Sequence, residues 1–494
     1  MNVDVLNKII DALPMILPES ILVLTIVFLT LLSISPWKKN NGWSILCCWI
    51  GGIAYLLAAF YQLGESFNIG FSGMISLNDF AIYGKLLIGG LYLCVLHLSA
   101  IHVTGHNNQH HEYWILTVAI LLGGSTLLMS ESLLMIYLAV ELLSFSAYGL
   151  TAFNQHKEGQ QSAIKYLLFG AVASAMTVYG MSLLYGLTGT LSLSNPQFWL
   201  HLTDVPTPIL AFAVFLATCG LLFKITAVPL HPWVDDVYQH APTPVAAFFS
   251  TLPKIAVFFC LVNLVQILQP FNALNSPSLT LLIGIVAIMS MTIGNLLALW
   301  QKDVKRMLAY SSVSHAGFLL AIAAIPNKAA WDAGLFYVVV YGIMNLAAFG
   351  MVQYFETRKL AVTYADFNGL GKKLPLWGIG LVIVMISLTG LPPTAGFNAK
   401  LMVFIAFWEQ FERSGMNIYL YLLIAGVLNT VIALFYYIKL PYHFYFQKQL
   451  PEDDDYEERR LNVITTPLRW SYGIITIILI IPLLVLFFAP QIIL

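Results

Sequence analysis

The sequence predicts an all-α polytopic membrane protein with about fourteen transmembrane helices. Of its 494 residues, 59% are hydrophobic and only 10% are charged, whereas soluble proteins carry about 25% charged residues. The apolar runs are continuous and reach the roughly 20 residues that one helix needs to cross a bilayer. A β-barrel would instead show alternating apolar and polar residues. The net charge of −1 and the lack of a long basic run give no indication of nucleic-acid binding.

Polar residues, glycines and prolines divide the chain into fourteen predicted spans. They cover residues 19–36, 44–62, 82–104, 113–130, 132–152, 162–186, 207–229, 243–263, 277–299, 305–325, 331–354, 376–408, 416–440 and 468–490. The twelfth span would be about 50 Å long as one helix, which exceeds a bilayer core of about 30 Å. The stretch TGLPPTAGF from Thr389 to Phe397 predicts a break there, and Pro229 and Pro232 predict a second break at the seventh span.

The distribution of basic residues predicts the orientation of the chain in the membrane. The loops after odd-numbered spans hold sixteen of them: Lys38, Lys39, Lys157, Lys165, Lys302, Lys305, Arg306, Arg358, Lys359, Lys372, Lys373, Lys439, Lys448, Arg459, Arg460 and Arg469. The loops after even-numbered spans hold only Lys328 and Arg413, and the N-terminal segment holds Lys8. Because cytoplasmic loops are enriched in lysine and arginine, the odd-numbered loops are expected to be cytoplasmic and both termini periplasmic.

The remaining four lysines and one glutamate lie inside predicted spans. Lys85 is near the start of its span, where a lysine can snorkel to the membrane surface. Lys224, Lys254 and Lys400 lie deeper, and Glu141 lies in the middle of MIYLAVELLSF. Each charge at such depth costs about 2.5–3.5 kcal/mol. These four residues are therefore the first candidates for a functional role.

Two interpretations of these charges are open. Buried ion pairs can orient helices, which is a purely structural role. Alternatively, desolvated lysines exchange protons near neutral pH, so a line of them can carry protons. In that hypothesis Glu141 and Lys224 form a switch whose separation releases the lysine proton. Lys254 is then the next station, reached through water or His231.

Two similar intervals indicate an internal repeat. Glu141 and Lys224 are 83 residues apart, His315 and Lys400 are 85 apart, and both lysines adjoin a proline-rich break. Broken helices in matching positions of inverted repeats mark the transport site of many transporters. We therefore expect two inverted five-helix repeats, helices 4–8 and 9–13, with helices 7 and 12 broken. The predicted segments are an N-terminal three-helix segment (1–112), the first repeat (113–264), the second repeat (265–440), and a cytoplasmic loop with the C-terminal helix (441–494).

Long motifs resemble one family, the antiporter-like proton-channel subunits of respiratory complex I. The resemblance is carried by LLFKITAVPLHPWVDDVYQHAPTPVAAFFSTLPKIAVF from Leu221, AIKYLLFGAVASAMTVYG from Ala163, GNLLALWQKDVKRMLAYSSVSHAGF from Gly294 and LTGLPPTAGFNAK from Leu388. DVYQHAPTPV is similar to the N-type members. HPW departs from the family, which often has another residue between His231 and Trp233.

The resemblance implies roles for individual residues. It implies proton transfer by the residues that match the family's buried charges: Glu141, Lys224, Lys254 and Lys400. It also implies relay roles for His231 and His315, and Lys165 is a further candidate. The implied activity is proton translocation as a subunit of NADH:quinone oxidoreductase in a bacterial inner membrane. No redox cofactor is expected in this chain; FMN, iron–sulfur clusters and quinone are expected in partner subunits, with M-type and K-type subunits as neighbours.

Other interpretations stay open at this point. The same charges could serve a cation/proton antiporter of the Mrp type without redox coupling, or a membrane scaffold. His106 and His110, within the histidine-rich stretch 97–111, have the spacing of metal ligands, but a polar loop is the preferred interpretation. Asp235 and Asp236 are expected to be solvated loop acids, although Asp235 could guide proton uptake.

Overall fold

The computed structural model describes most of the chain as helix. The described residues are 10, 12–35, 41–64, 69–103, 110–153, 156–203, 205–268, 277–358, 362–447 and 470–493. A two-stranded antiparallel hairpin, β1 (Ile69–Gly70) and β2 (Ile75–Ser76), pairs Ile69 with Ser76. The acidic part of the loop after residue 447 lies outside the described residues.

The helices alternate with short connections along the whole chain. They are α1 (Leu17–Ile34), α2 (Asn41–Tyr61), α3 (Asp79–Val103), α4 (His110–Leu128), α5 (Leu133–Thr151), α6 (Lys157–Thr188), α7 (Pro196–Thr203), α8 (Thr207–Lys224), α9 (Val234–His240), α10 (Thr243–Leu268), α11 (Pro277–Trp300), α12 (Val304–Ala323), α13 (Lys328–Thr357), α14 (Pro375–Thr389), α15 (Ala395–Ser414), α16 (Asn417–Tyr445) and α17 (Trp470–Phe488). Short 3₁₀ turns include Leu13–Ile16, which leads directly into α1.

Each predicted span overlaps a helix of the structure. Among the described residues, eleven helices are long and apolar enough to cross a membrane, and Pro375–Thr389 and Ile478–Phe488 are shorter apolar helices. Large apolar side chains point outward on the peripheral helices, for example Leu24 and Phe145. Such extensive apolar exposure is not found on soluble monomers, and it fits a surface covered by lipid or by other membrane helices.

Both predicted helix breaks are present. The helix of the seventh span ends at Lys224, five residues earlier than predicted, and α9 begins at Val234. It ends early because a helix through Pro229 would lose a backbone donor and bring the proline ring against the carbonyl of residue 225. The twelfth span consists of α14 and α15, separated by residues 390–394. Each break contains one cis peptide bond before proline, at Pro229 and Pro393.

Three helices form the centre of the molecule. Every residue of α12 except Arg306 is buried, and α10 and α13 are buried along most of their length. α12 packs against α11, α13, α10 and the short α9. Side chains of Asp303 and Asn327 accept hydrogen bonds from the first turns of α12 and α13 and so define where these helices begin. The central helix α12 therefore has no face left for lipid.

Candidate functional site

One face of α12 carries the predicted relay His315 and contacts two of the predicted proton-transfer residues, Lys254 and Lys400. Ser312, His315 and Phe318 follow one another at three-residue intervals, which places them on the same side of a helix. Ser312 contacts Lys254, and the ring of Phe318 lies 5.7 Å from Lys400 Nζ. His315 lies between these two positions on the helix. The structure thus aligns two predicted lysines and the predicted histidine along one buried helix.

Lys254 is completely buried, and all its hydrogen bonds go to neutral acceptors. Its Nζ donates to Thr226 Oγ1 at 2.7 Å, to the Ser312 carbonyl at 2.7 Å and to Ser312 Oγ at 2.9 Å. These three bonds use the three N–H groups of an ammonium ion. No carboxylate pairs with Lys254 among the described residues, so the amine is held by hydroxyl and carbonyl dipoles alone and has no fixed counter-ion.

The break after α8 supplies one of these acceptors. Thr226 has φ of +68°, a left-handed conformation that β-branched residues rarely adopt. This turn places the Thr226 hydroxyl beside Lys254. The freed backbone is partly satisfied from α11, since Val228 N donates to Ser290 Oγ at 3.0 Å. Strained residues of this kind occur at functional sites. Non-helical backbone at membrane depth must line a cavity or be buried in protein, and here the unwound segment lies against the site of Lys254.

Lys400 is held by the end of another helix. Its Nζ donates to the carbonyls of Thr389 at 2.7 Å and Leu388 at 3.3 Å, which are the last residues of α14. Helix C-termini carry free carbonyls and partial negative charge, so a cation is favourable there. Gly390, with φ of +85°, ends α14, and a Cβ at this position would lie 2.6 Å from Lys400 Cδ. A glycine is therefore required both for the turn and for the lysine side chain.

His315 is buried between two tyrosine hydroxyls. Nδ1 lies 2.7 Å from Tyr337 Oη and Nε2 lies 3.3 Å from Tyr437 Oη. Each ring nitrogen therefore has a partner that can donate or accept a hydrogen, so either tautomer of the imidazole can be accommodated. This arrangement suits a group that passes a proton from one side of its ring to the other.

Lys224 lies in an aromatic environment at the end of α8. Its Nζ donates to Tyr166 Oη at 3.2 Å and lies 5.4 Å from the Tyr166 ring and 5.9 Å from the Tyr148 ring. Tyr166 is itself stacked on Trp233, with ring centroids 4.0 Å apart. Tyrosine faces attract an ammonium ion through their quadrupole. The lysine is thus stabilised without a carboxylate in direct contact.

Glu141 accepts a hydrogen bond from Ser174 of α6. It stands between two spaces: an inner cavity of about 10 Å³, which is bordered by Thr177 and Phe223, and an outer groove of about 730 Å³ between α5 and α6. The inner cavity has room for about one water molecule. Glu141 therefore faces both the interior of the protein and its lateral surface.

The structure does not bring Glu141 and Lys224 into an ion pair. Their charged atoms are more than 4 Å apart, since within the described ranges no salt bridge joins them. The small cavity next to Glu141 reaches Phe223, the residue before Lys224. The switch hypothesis thus stays a prediction; the structure shows only that the two side chains are not in direct contact.

The remaining predicted residues lie nearer the surface. Burial lowers the pKa of His231 below its usual value, and the charge of Asp235 and a hydrogen bond with the Pro229 backbone offset this only in part. In the described part of the chain, no hydrogen bond joins His231 to Lys224 or Lys254. Its role as a relay between them therefore stays a prediction.

Lys165 is exposed and forms an ion pair with Asp236, with Nζ 2.5 Å from Oδ2. Arg306 binds the other oxygen of Asp236 at 2.9 Å. Burial raises the pKa of this carboxyl, but Lys165 and Arg306 lower it more, so the net pKa lies below the usual value. The expectation that Asp236 is a solvated loop acid is wrong, because its carboxylate connects α6 to α12.

Sequence reasoning missed two further buried lysines. The expectation that Lys85 snorkels to the surface is wrong: its side chain is 0% exposed and forms an ion pair with Glu19 at 3.0 Å. Lys305, interpreted as a loop residue, is also buried, and its Nζ lies 3.3 Å from Glu356. In both cases the partner acid lies on a different helix, so no local sequence signal could reveal the pair.

The histidine-rich stretch is only partly within the described residues. His106 lies outside them, whereas His111 Nδ1 lies 2.7 Å from Ser44 Oγ in the described part. Over the described ranges, no group of three or more His, Cys, Asp or Glu side chains could hold a metal ion. The metal interpretation of His106 and His110 stays untested.

Comparisons with known proteins show the family of this chain. The family described as NADH:quinone oxidoreductase/Mrp antiporter, transmembrane, matches residues 130–432. NADH-quinone oxidoreductase subunit N of Chlorobium chlorochromatii is 36% identical over 436 residues, which cover 86% of this chain and 84% of that protein. Subunit N of Acidithiobacillus ferrooxidans is 35% identical over 398 residues, covering 79% of this chain and 80% of that protein.

Solved structures of membrane complexes contain chains with the same fold. A chain of respiratory complex I from Thermus thermophilus superposes with a TM-score of 0.76 at 27% identity, covering 96% of this chain and 97% of that chain. A chain of the Mrp complex from Dietzia sp. superposes with a TM-score of 0.78 at 20% identity, covering 96% and 94%, which shows a common fold alone. The protein is a multi-pass membrane protein, and it belongs to the NADH:quinone oxidoreductase/Mrp antiporter family, within the subunit N type.

Proposed function

We infer that this chain is the proton-translocating membrane subunit of an NADH:quinone oxidoreductase. The observation that carries this conclusion is the line of buried groups along α12, where Lys254 contacts Ser312, His315 follows one turn later, and Lys400 lies over Phe318. Its membership of the subunit N type links that line to a redox-driven complex. Other subunits perform the hydride and quinone chemistry, and this subunit moves protons.

The geometry supplies proton stations that are charged but not locked. Lys254 and Lys400 donate only to hydroxyls and carbonyls in the described structure, so releasing a proton does not leave a bare carboxylate buried behind it. His315, with a tyrosine hydroxyl on each ring nitrogen, lies between them. Moving one charge against 100 mV requires about 2.3 kcal/mol, which is comparable to one hydrogen bond to a charged group. Rearranging one such bond at each station is therefore sufficient.

Glu141 and Lys224 are proposed to act as the switch that starts transfer. In the separated state, Lys224 is stabilised by Tyr166 and by aromatic faces. A movement that brings the lysine to Glu141, directly or through one water in the cavity between α5 and α8, would hold its proton more tightly. Separation then favours release towards Lys254, with His231 as a candidate relay and Lys165 as a surface residue near the cytoplasmic side.

The finer organisation belongs to the same proposal. We expect fourteen membrane crossings, with helices 4–8 and 9–13 as inverted repeats bounded at residues 113–264 and 265–440. Lys224 lies directly before the first break whereas Lys400 lies after the second, so the repeats would use the two sides of their breaks differently. We also expect a bacterial inner membrane, periplasmic termini, M-type and K-type neighbours, and FMN, iron–sulfur clusters and quinone in partner subunits.

The alternative is a cation/proton antiporter without redox coupling. The Mrp-like fold supports it only at the level of architecture. Purifying the intact complex in mild detergent distinguishes the two, because flavin and iron–sulfur absorbance should accompany this chain in a redox complex. Their absence from an intact, active transporter would favour the antiporter.

The direct test replaces Glu141 and Lys224 by alanine in separate variants. Both variants should lower proton pumping into membrane vesicles and the coupled NADH:quinone reductase rate, because each lacks one half of the switch. Glu158→Ala and Lys157→Ala are matched controls, since both residues are exposed at the start of α6. Wild-type rates in Glu141→Ala and Lys224→Ala, with assembly confirmed on native gels, would refute the assigned switch.

A further inference from the structure

A second buried acid–base pair lies far from the line along α12. Glu19 in the first turn of α1 and Lys85 in the second turn of α3 form an ion pair of 3.0 Å with side chains 7% and 0% exposed. Both residues lie in the N-terminal three helices, outside residues 130–432 that the family model matches. The line of proton stations proposed above does not use them.

The pair is the centre of a polar network that joins several helices. Ser125 of α4 donates to Glu19, and Tyr55 of α2 donates to Ser125 Oγ at 2.9 Å. On the other side, Lys85 Nζ donates to Gln62 Oε1 at 3.3 Å. Apolar side chains of similar size would join these helices without the desolvation of two charges. The network is therefore poorly explained by helix packing alone.

One oxygen of the acid has no partner. Glu19 Oε2 is buried and, within the described residues, makes no hydrogen bond. A buried carboxylate oxygen normally accepts hydrogen bonds, so Oε2 is the position in the network where a hydrogen can be added without displacing an existing hydrogen bond. The titratable groups that face it are Lys85 on α3 and Tyr55 on α2, while α4 contributes only the neutral Ser125.

The pair also lies close to one membrane face. Glu19 is the third residue of α1, and Lys85 is about 9 Å from the start of α3 at 1.5 Å per residue. The 3₁₀ turn Leu13–Ile16 covers the pair, and Leu13 is exposed on its outer side. The acid thus lies six residues from Leu13, where the first apolar span begins.

We propose that Glu19, paired with Lys85, is a second protonatable site, which takes up and releases a proton at the membrane face where α1 and α3 begin. In uptake, one proton from water forms an O–H bond with Glu19 Oε2, and the pair gains one positive charge. Release reverses this step and needs no other reactant. The inference rests on the proposed proton-translocating function. The link between the two is structural, since α3 packs against α10, the helix that carries Lys254.

The test uses the whole complex in lipid vesicles with Glu19→Gln and Lys85→Gln combined. The two amides can keep hydrogen bonds between the helices but cannot exchange a proton. We expect normal assembly, fewer protons moved per electron, and loss of a carboxylic acid band in infrared difference spectra recorded between two pH values. Tyr113→Phe is the control, since it removes another buried hydroxyl of α4, which donates to Ser99 of α3 at 2.8 Å.

Either a wild-type proton-to-electron ratio or an unchanged infrared spectrum in the double variant would overturn the proposal. Should the double variant fail to assemble, Glu19→Asp retains the acid and withdraws it by one methylene. The carboxylic acid band should then shift, and an unshifted band would overturn the inference. If Glu141→Ala abolishes pumping while the double variant pumps normally, only this inference fails; if Glu141→Ala pumps normally, the proposed function itself fails.

Discussion

Replacing Ser312 by alanine tests whether Lys254 is held by dipoles as the structure shows. The variant removes Ser312 Oγ, which accepts from Lys254 Nζ at 2.9 Å, and leaves the Ser312 carbonyl and Thr226 Oγ1 in place at 2.7 Å. A hydrogen bond to a charged group contributes about 1.5–3 kcal/mol. The charged form of Lys254 should therefore be disfavoured by about ten- to a hundred-fold. If protons pass through Lys254, the coupled turnover should fall by about ten-fold or more.

The assay is the NADH:quinone reductase rate of the assembled complex in sealed vesicles, measured together with acidification of the lumen. Ser314→Ala is the matched control, because Ser314 is buried on the same helix but is not an acceptor of Lys254. The control should retain wild-type rates. A Ser312→Ala complex that assembles normally and keeps both rates within about two-fold of wild type would show that this bond does not govern transfer.

Three further predictions follow from other contacts. Tyr166→Phe removes the hydroxyl that accepts from Lys224 at 3.2 Å but keeps the ring stacked on Trp233. Coupled reductase activity should therefore fall about ten-fold while the thermal midpoint of the complex stays near wild type, and unchanged activity would contradict the role of this bond. Gly390→Ala introduces a Cβ at φ +85° and 2.6 Å from Lys400 Cδ. The free energy of unfolding of the membrane part should fall by at least about 1 kcal/mol, measured as a lower thermal midpoint, and an unchanged midpoint would contradict the requirement for glycine. Asp236→Asn should lower the thermal midpoint by the same amount from about pH 5 to 8. Lys165 and Arg306 keep the carboxyl pKa below its usual value of about 3.9, so the bridge is lost only under stronger acid. An effect that changes across this range would disprove the assignment.

The positions of the helices and of their two breaks could be predicted from sequence. Continuous apolar runs of bilayer length leave few alternatives to helices. A helix does not continue through Pro229 and Pro232 in the first break or through Pro392 in the second. The start and end of single helices were less accurate. The helix of the seventh span ends at Lys224, five residues before Pro229, and Thr226 in the following turn is left-handed, a conformation that a threonine does not predict.

Partners of the buried charges were not predictable from the sequence. The sequence pairs Glu141 with Lys224 in a switch hypothesis, whereas in the structure Lys224 donates to Tyr166 and Glu141 accepts from Ser174. Lys85 was expected at the surface, yet Glu19 binds it in the interior. Each of these contacts joins different helices, and the interval between two residues along the chain says nothing about which helix faces touch.

The amino-acid sequence by itself determined that the chain spans a membrane many times and that a few ionisable groups are kept at depth. Both properties can be read from the local sequence. In the hydrocarbon core each segment must form its own backbone hydrogen bonds, and each buried charge has an energetic cost wherever it lies. Only the tertiary structure decided that Ser312 and Thr226, two neutral residues, hold Lys254, and that the end of α14 holds Lys400. Those contacts depend on the packing of α12 between its neighbours, which is a property of the whole fold.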